Sequence, residues 1–587
     1  MWDTQIGGTA MKTRTRLSVA FLLALWLCFG AVNVFAAEQT ENIGERIESY
    51  VSEHADTTAG MAVTVFDSEK ELYTGCFGYT DREQGVKTDS QSVFEWGSTT
   101  KLLVWTSVMQ LYEQGKIDLD ADVRQYLPEG FLKNLRFDKP VTMTHLMNHS
   151  AGFQEMLWDV FLSTDEEEMM ALGELLSHRQ PEQVFEPGSV TAYSNWGVAL
   201  AGYIVECIAG QPFYEYVNAH IFSPLGMKRT SLKPDYSDNP FVREAWDRLV
   251  CYTTDCQRLE PSRYYVPIYP AGSCVSTIGD YLIFAQALLN RESVLFAKPE
   301  THDLLFRPTS CYEGTDIPRN CHGMWMIPYG KPVYGHGGNT AGCSAYILLS
   351  PEENIGMAVM TNQSGEEIYN CRMPELLFGK FDESDYFGEK RELPTGLYKS
   401  ARSVFTGPIK LYSIAPLRYD EEDRQEFWIW DKESGVVRAP YGDCLSVPTW
   451  QVFYELGIVG LWAISVVMAP VMLIVMLICR LRRGESRPMG RWAAIAMLLR
   501  LAIVGMAAYI VYSGLTYRPS DAYFWGFAVI AGLAVVLTAL AVVGIVGLSR
   551  NGASMKKGTK FVRIMTLCGM IITLVNVLYW NIFVFWA

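Results

Sequence analysis

The last 133 residues constrain this chain more than any other part of it. They hold four apolar runs, at about 455 to 479, 492 to 515, 524 to 548 and 562 to 585. Each is long enough, as a helix rising about 1.5 Å per residue, to cross a hydrocarbon core of roughly 30 Å. The loops give a direction. "RLRRGESRPMGR" carries five Arg and "SRNGASMKKGTKFVR" five Lys/Arg, whereas "TYRPSDAY" carries one. Basic loops stay in the cytoplasm, so residue 454 and everything before it is expected outside. The first expectation is four transmembrane helices over 455–587, in a multi-pass protein of the cell membrane. Arg500 falls inside the second run. A charge at the bilayer centre is costly, so that span is expected to start later, with Arg500 snorkelling to the cytoplasmic face.

The N-terminus points the same way. Lys12, Arg14 and Arg16 precede "LSVAFLLALWLCFGAV", and small residues follow at "NVFAAEQ". This is the pattern of a signal peptide, expected over 11–37, with Met11 as a start and cleavage near Ala36 or Ala37. The net charge is -15, yet the last 133 residues hold 12 Lys/Arg against 3 Asp/Glu. The exported body is therefore acidic, which argues against a nucleic-acid partner. Ten of the 13 cysteines lie in that body, where export permits disulfides. Cys251 with Cys256, and Cys311 with Cys321, are the spacings to test first. No Cys/His cluster has zinc spacing, and neither metal nor cofactor is implied.

Within the body, "VFEWGSTTKLLVWTSVMQLYEQGKIDLD" places a polar knot at the mouth of an apolar helix. Ser98 or Thr99 can cap it and Gly115 ends it. Apolar residues surround most of its circumference, the mark of a buried helix. Lys101 lies one turn from Ser98. Burial and the positive helix end both disfavour its charged form. A neutral lysine can take the Ser98 proton and make the hydroxyl a nucleophile. The pair alone is weak, since Ser554 and Lys557 have the same spacing in a basic loop. Two further stretches add weight. "FEPGSVTAYSNWGVALAGYIVECIAG" sets Tyr193-Ser194-Asn195 at the start of another buried helix. "YGHGGNTAGCSAYILLSPEENIGMAVMTN" sets His336-Gly337-Gly338 on an apolar strand.

Taken in order, these residues resemble the three motifs of the penicillin-recognising serine hydrolases: Ser-x-x-Lys, Tyr-x-Asn and Lys/His-x-Gly on a strand. The resemblance is to the branch of class C β-lactamases, D-alanyl-D-alanine peptidases, D-aminopeptidases and related esterases. It covers about 40 to 370. "MTHLMNHSAGF", "IFSPLGMKRTS" and "YPAGSCVSTIGDYLIFAQALL" resemble further family segments, with Ser273 in place of a usual glycine. Tyr216-x-Asn218 and Tyr579-x-Asn581 match the middle motif without its context.

The resemblance implies a role for each residue. Ser98 is the acyl-accepting nucleophile, Lys101 its activator, and Tyr193 the proton shuttle to the leaving group. Asn195 holds Lys101 or the substrate amide. Gly337 and Gly338 let the substrate backbone approach the strand. The backbone N–H groups of Ser98 and Asn339 form the oxyanion hole. His336 stands where true class C lactamases have lysine, and matches the peptidases and esterases. His149 and Ser150 read as structural.

Strands near 60 to 80, helices from 98 to about 290 and strands near 333 to 361 suit an α/β sandwich with an inserted all-helical lobe, the β-lactamase/transpeptidase-like fold the family implies, over 38–380. Residues 385–454 alternate apolar and polar residues between Pro/Gly breaks, and read as a small β-rich adapter beside the membrane. The expected function is an extracytoplasmic, membrane-anchored serine hydrolase, a peptidase or amidase on D-residue-containing or related peptide or amide substrates. β-Lactamase or esterase activity is the alternative enzyme, and a penicillin-binding sensor coupled to the membrane helices the alternative of another class. The partners implied are a small-molecule or peptide substrate and the bilayer; the oligomeric state stays open.

Overall fold

The structure, a computed structural model, describes residues 43–582 except 134, 157–158, 163–168, 388–392, 405–413, 418–426 and 484–487. The expected signal peptide lies outside the described residues.

A nine-stranded antiparallel sheet forms the catalytic unit's backbone. Its strands are β1 (Gly60–Phe66), β2 (Glu71–Asp81), β3 (Val86–Lys87), β4 (Ser310–Cys311), β5 (Pro318–Cys321), β6 (Met324–Pro328), β7 (Pro332–Asn339), β8 (Ser344–Ser350) and β9 (Ile355–Thr361). The order is β3-β2-β1-β9-β8-β7-β6-β5-β4. β1 and β9, "GMAVTVF" and "IGMAVMT", are buried at every residue, as unbroken apolar runs require. Side chains alternate between the two faces. Met61, Val63 and Val65 meet Ile43, Ile47 and Val51 of α1 (Ile43–Glu53). Ala62 and Phe66 face the larger core. That core also contains α2 (Lys101–Glu113), α3 (Asn195–Ala209) and α4 (Ile278–Leu289). The sandwich with a helical lobe is thus present. The sequence reading overlooked β4 to β6, which are short: two, four and five residues, with Pro, Arg and Asn in β5.

The adapter region forms a second, five-stranded antiparallel sheet. Its strands are β10 (Leu397–Ser400), β11 (Ile414–Pro416), β12 (Ile429–Asp431), β13 (Val436–Arg438) and β14 (Cys444–Val447), in the order β11-β10-β14-β13-β12. It docks on the catalytic unit through Gly442, which bridges to Ala192, and through Asp443. The Asp443 carboxylate is fully buried. It accepts from Arg319 at 2.7 Å, Arg438 at 2.7 Å and the Thr191 N–H at 3.0 Å.

Four helices are long and apolar enough to cross a membrane: α5 (Thr449–Arg483), α6 (Pro488–Leu515), α7 (Trp525–Asn551) and α8 (Lys557–Tyr579). Arg500 does not snorkel. It is 3 % exposed, donating to Thr573 Oγ1 at 3.0 Å and to the Ser465 carbonyl at 2.7 Å. It thus ties α6 to α5 and α8 from within the bundle. Gly569 makes the room, because a Cβ there would fall 2.2 Å from the guanidinium. The turn between α6 and α7 reaches the catalytic unit. The Ser520 N–H donates to Asp159 at 2.8 Å, Asp521 pairs with Arg179, and Tyr517 packs on Phe161 and Tyr264.

Neither expected cysteine pair forms. Cys251, Cys256, Cys311 and Cys321 are free thiols. Cys251 lies 3.8 Å from Cys343 rather than against Cys256, whose thiol donates to the Thr57 carbonyl.

Candidate active site

The chain enters α2 through a tight 3-10 turn, Gly97–Thr100, so the α-helix proper begins at Lys101. Neither Ser98 nor Thr99 caps it with a side chain. The Ser98 hydroxyl instead lies 2.8 Å from Lys101 Nζ. Every residue from Lys101 to Leu111 is buried, and Lys101 has no exposed surface. Its Nζ also donates to the Ala271 carbonyl at 2.5 Å. Desolvation pushes its pKa well below the ordinary lysine value, and the nearby Arg402 cation adds to the shift. A buried amine whose charged form is disfavoured, one hydrogen bond from a serine, is a base positioned on a nucleophile.

Tyr193 ends an extended segment one residue before the Ser194 N-cap, whose hydroxyl accepts from the Gly197 N–H. Its ring centroid is 5.1 Å from Lys101 Nζ. Burial raises its phenol pKa, while Arg402 and a hydrogen bond with Ser98 pull the other way. His149 stacks on the same ring at 4.2 Å and 18°, and on Trp325 at 5.4 Å. Its Nδ1 accepts from the Ser194 N–H at 3.1 Å. His149 therefore orients the tyrosine, in keeping with a structural role.

β7 brings the third motif alongside. A Cβ on Gly338 would fall 2.0 Å from the Trp96 carbonyl and 2.8 Å from the Ser98 nitrogen; one on Gly97 would fall 2.7 Å from the Asn339 nitrogen. The bare Gly338 thus lets the Ser98 turn and β7 touch, which brings the Ser98 and Asn339 amides to one place. Gly337 likewise packs against the Tyr346 ring, and both glycines line the cleft. His336 is 1 % exposed, and burial pushes its pKa down to about 3. Its Nδ1 contacts the Gly337 carbonyl at 2.6 Å. Burial therefore favours the neutral imidazole near pH 7. Ser98, Tyr193, Asn195, His336, Gly337, Gly338 and Asn339 all line one cleft of about 740 Å³. Asn195 is there without reaching Lys101, whose hydrogen bonds go to Ser98 and Ala271.

The profile of the family described as Beta-lactamase matches residues 47–377. The chain belongs to the beta-lactamase family. It is similar to penicillin-binding protein 4 of Amycolatopsis lactamdurans, 26 % identical over 335 residues, which cover 54 % of this chain and 84 % of that protein. It is also similar to the D-alanyl-D-alanine-carboxypeptidase/endopeptidase AmpH of Escherichia coli K12. That match is 23 % identical over 379 residues, 59 % of this chain and 91 % of the relative. Among solved structures, D-amino acid amidase of Ochrobactrum anthropi SV3 overlays with a TM-score of 0.48 at 22 % identity, covering 58 % of this chain and 97 % of that one.

This beta-lactamase-family chain is a serine hydrolase, and its cleft has walls that the family match does not reach. Arg402, Trp428, Pro440 and Tyr441 of the second sheet line it. The Tyr193 N–H donates to the Tyr441 carbonyl at 3.0 Å. The Arg402 guanidinium lies 4.5 Å from the Tyr193 ring centroid and donates to Glu155 at 3.0 Å. Val160 and Phe161, next to the α6–α7 turn, form another wall. Sequence reasoning missed Arg402, Glu155 and Tyr441, which no motif marks. Ala271 had a signal, lying inside the family-like "YPAGSC" segment.

Proposed function

We propose that this hydrolase is held in the membrane with its catalytic unit outside the cell, forms an acyl-enzyme at Ser98, and acts as a peptidase or amidase on D-residue-containing or related peptides and amides. The observation that carries the reading is the fully buried Lys101 amine 2.8 Å from the Ser98 hydroxyl, its pKa pushed well below the ordinary lysine value by desolvation. Lys101 takes the hydroxyl proton as Ser98 Oγ attacks the substrate carbonyl. The Ser98 and Asn339 N–H groups hold the developing oxyanion, a contact worth about 10²–10³ in rate per donor. The proton passes by way of Tyr193 to the leaving amine, and the C–N bond breaks. Water then enters, gives up a proton to the same pair and releases the acid.

The names of the relatives, penicillin-binding proteins and a D-alanyl-D-alanine carboxypeptidase/endopeptidase, support the substrate class. A neutral His336 in the position of the lactamase lysine disfavours a dedicated β-lactamase. The orientation is supported by the turn around Tyr517–Asp521: it belongs to the loop with a single basic residue, and it rests on the catalytic unit.

The test is labelling of membranes with tagged penicillin and with a fluorophosphonate, wild type against Ser98→Ala, with the adduct mapped by mass. An adduct on Ser98 followed by steady product release is expected. An adduct that never turns over would make the protein a penicillin-binding sensor; no adduct on Ser98 with either probe would refute the hydrolase mechanism.

A further inference from the structure

The second sheet does more than stand beside the catalytic unit. Arg402 follows β10 on a turn fixed by three hydrogen bonds: its own N–H to Ser400 Oγ at 3.2 Å, Ser403 Oγ to the Ser400 carbonyl at 2.8 Å, and the Ser403 N–H to the Ala401 carbonyl at 2.9 Å. The Glu155 N–H donates to the Ser403 carbonyl at 3.2 Å, pinning the turn to the catalytic unit. The Glu155 carboxylate holds Arg402 through Nε alone. Neither terminal nitrogen of the guanidinium has a hydrogen-bond partner among the described residues. The side chain is 44 % exposed, and it lines the cleft.

An arginine pinned at Nε, its guanidinium 4.5 Å from an aromatic ring centroid, presents its two terminal N–H groups as a fixed fork. Such a fork matches a carboxylate in two parallel hydrogen bonds. Two other uses of the residue fit less well. A purely structural arginine would spend the fork on the protein, as Arg438 does through Nη1 on Asp443 and Nη2 on Asp431. A residue serving only to bias Tyr193 and Lys101 electrostatically would need no open face onto the cleft. His336, being neutral, supplies no charge for an anionic substrate group.

We propose that Arg402 is a substrate-binding residue, supplied to the cleft by the second sheet, and that it selects substrates carrying a carboxylate near the scissile bond. This rests on the serine-hydrolase reading of the cleft and names the group that the cleft recognises. Glu155 sets the direction of the fork and keeps the arginine from collapsing onto a bound anion's neighbours. The appended sheet thereby determines specificity for a reaction whose bond-breaking groups all lie in the catalytic unit.

The experiment uses the full-length protein in detergent and three probes of Ser98: benzylpenicillin, its methyl ester, and an uncharged fluorophosphonate. Acylation rates are read by intact mass for wild type, Arg402→Gln and Arg402→Lys. In the wild type, the acid should react faster than the ester. In Arg402→Gln, the acid-to-ester rate ratio should fall by about ten- to a hundredfold, the value of hydrogen bonds to a charged group. Arg402→Lys should restore part of the ratio, because it returns the charge without the fork. Fluorophosphonate labelling reports separately on the nucleophile: its absence in the wild type refutes the hydrolase reading itself. With that labelling intact, a wild type that does not prefer the acid overturns the Arg402 proposal. So does an Arg402→Gln protein that slows acid and ester equally, which would mean that Arg402 acts through Tyr193.

Discussion

Both sheets grip Tyr193, and they do so by different chemistry. The catalytic unit holds the ring: His149 and Trp325 stack in a series with it, and its phenol meets Ser98. The second sheet holds the backbone and the surrounding charge, with the Tyr441 carbonyl on the Tyr193 N–H, Arg402 over the ring, and Asp443 on Thr191. The first grip is ring stacking by His149 and Trp325 together with the Ser98 hydrogen bond. The second is made of a buried hydrogen bond and a partly exposed ion pair between segments some 250 residues apart. An interface of that polar kind is specific more than it is strong. The contrast is between ring contacts that hold the tyrosine side chain and a few charges and hydrogen bonds that the second sheet places around it.

Mutations should separate the two grips. The largest effect is expected at the nucleophile: Ser98→Ala should lower acylation by a factor on the order of 10³ or more, measured as adduct per unit time, with folding unchanged. Asp443→Ala should come next. It removes the buried carboxylate that Arg319 and Arg438 share, leaving Arg319 with the Ala439 carbonyl and Arg438 with Asp431, at a cost of about 3–5 kcal/mol, visible as early thermal loss of the second sheet. If Tyr193 stayed equally reactive after that loss, the second grip would be irrelevant to the site. Acid should expose the first grip. His336 has a folded pKa of about 3 against 6.5 for the free imidazole. Between those values the unfolded chain binds a proton that the folded one refuses, so stability falls as pH drops from 6.5 towards 3. His336→Gln should flatten that part of the pH–stability curve, and an unaltered curve would contradict a neutral buried imidazole. The smallest effect is expected at the membrane turn. Asp521 is 60 % exposed, so Asp521→Ala should cost less than about 1 kcal/mol in thermal unfolding.

What the sequence could disclose follows the same division. Ser98, Lys101, Tyr193 and His336 were legible because their chemistry admits few substitutes and their order along the chain is a signature. The four membrane helices were legible from hydropathy. The inward turn of Arg500 was not, because a run of apolar residues fixes length without fixing rotation, and the space for the guanidinium is made by Gly569 on another helix. The capping expectation at Ser98 failed because the α-helix starts three residues later, behind a 3-10 turn. Cysteine spacing misled for a related reason: Cys251 meets Cys343 through tertiary folding, 92 residues away. Arg402 lay furthest from sight, since neither its own segment nor that of Glu155 announces that the two will meet above Tyr193.

The claim on which the account depends is that Lys101 is an uncharged amine beside Ser98. The direct measurement is the rate of Ser98 labelling by an uncharged fluorophosphonate across pH, in the full-length protein, with Lys101→Arg as the permanently charged counterpart. The account predicts a wild-type rate already at its plateau at neutral pH, and almost no labelling of Lys101→Arg at any pH. A wild-type rate that keeps climbing to the ordinary lysine pKa of about 10.4 would mean that the buried amine is still protonated, and would contradict it.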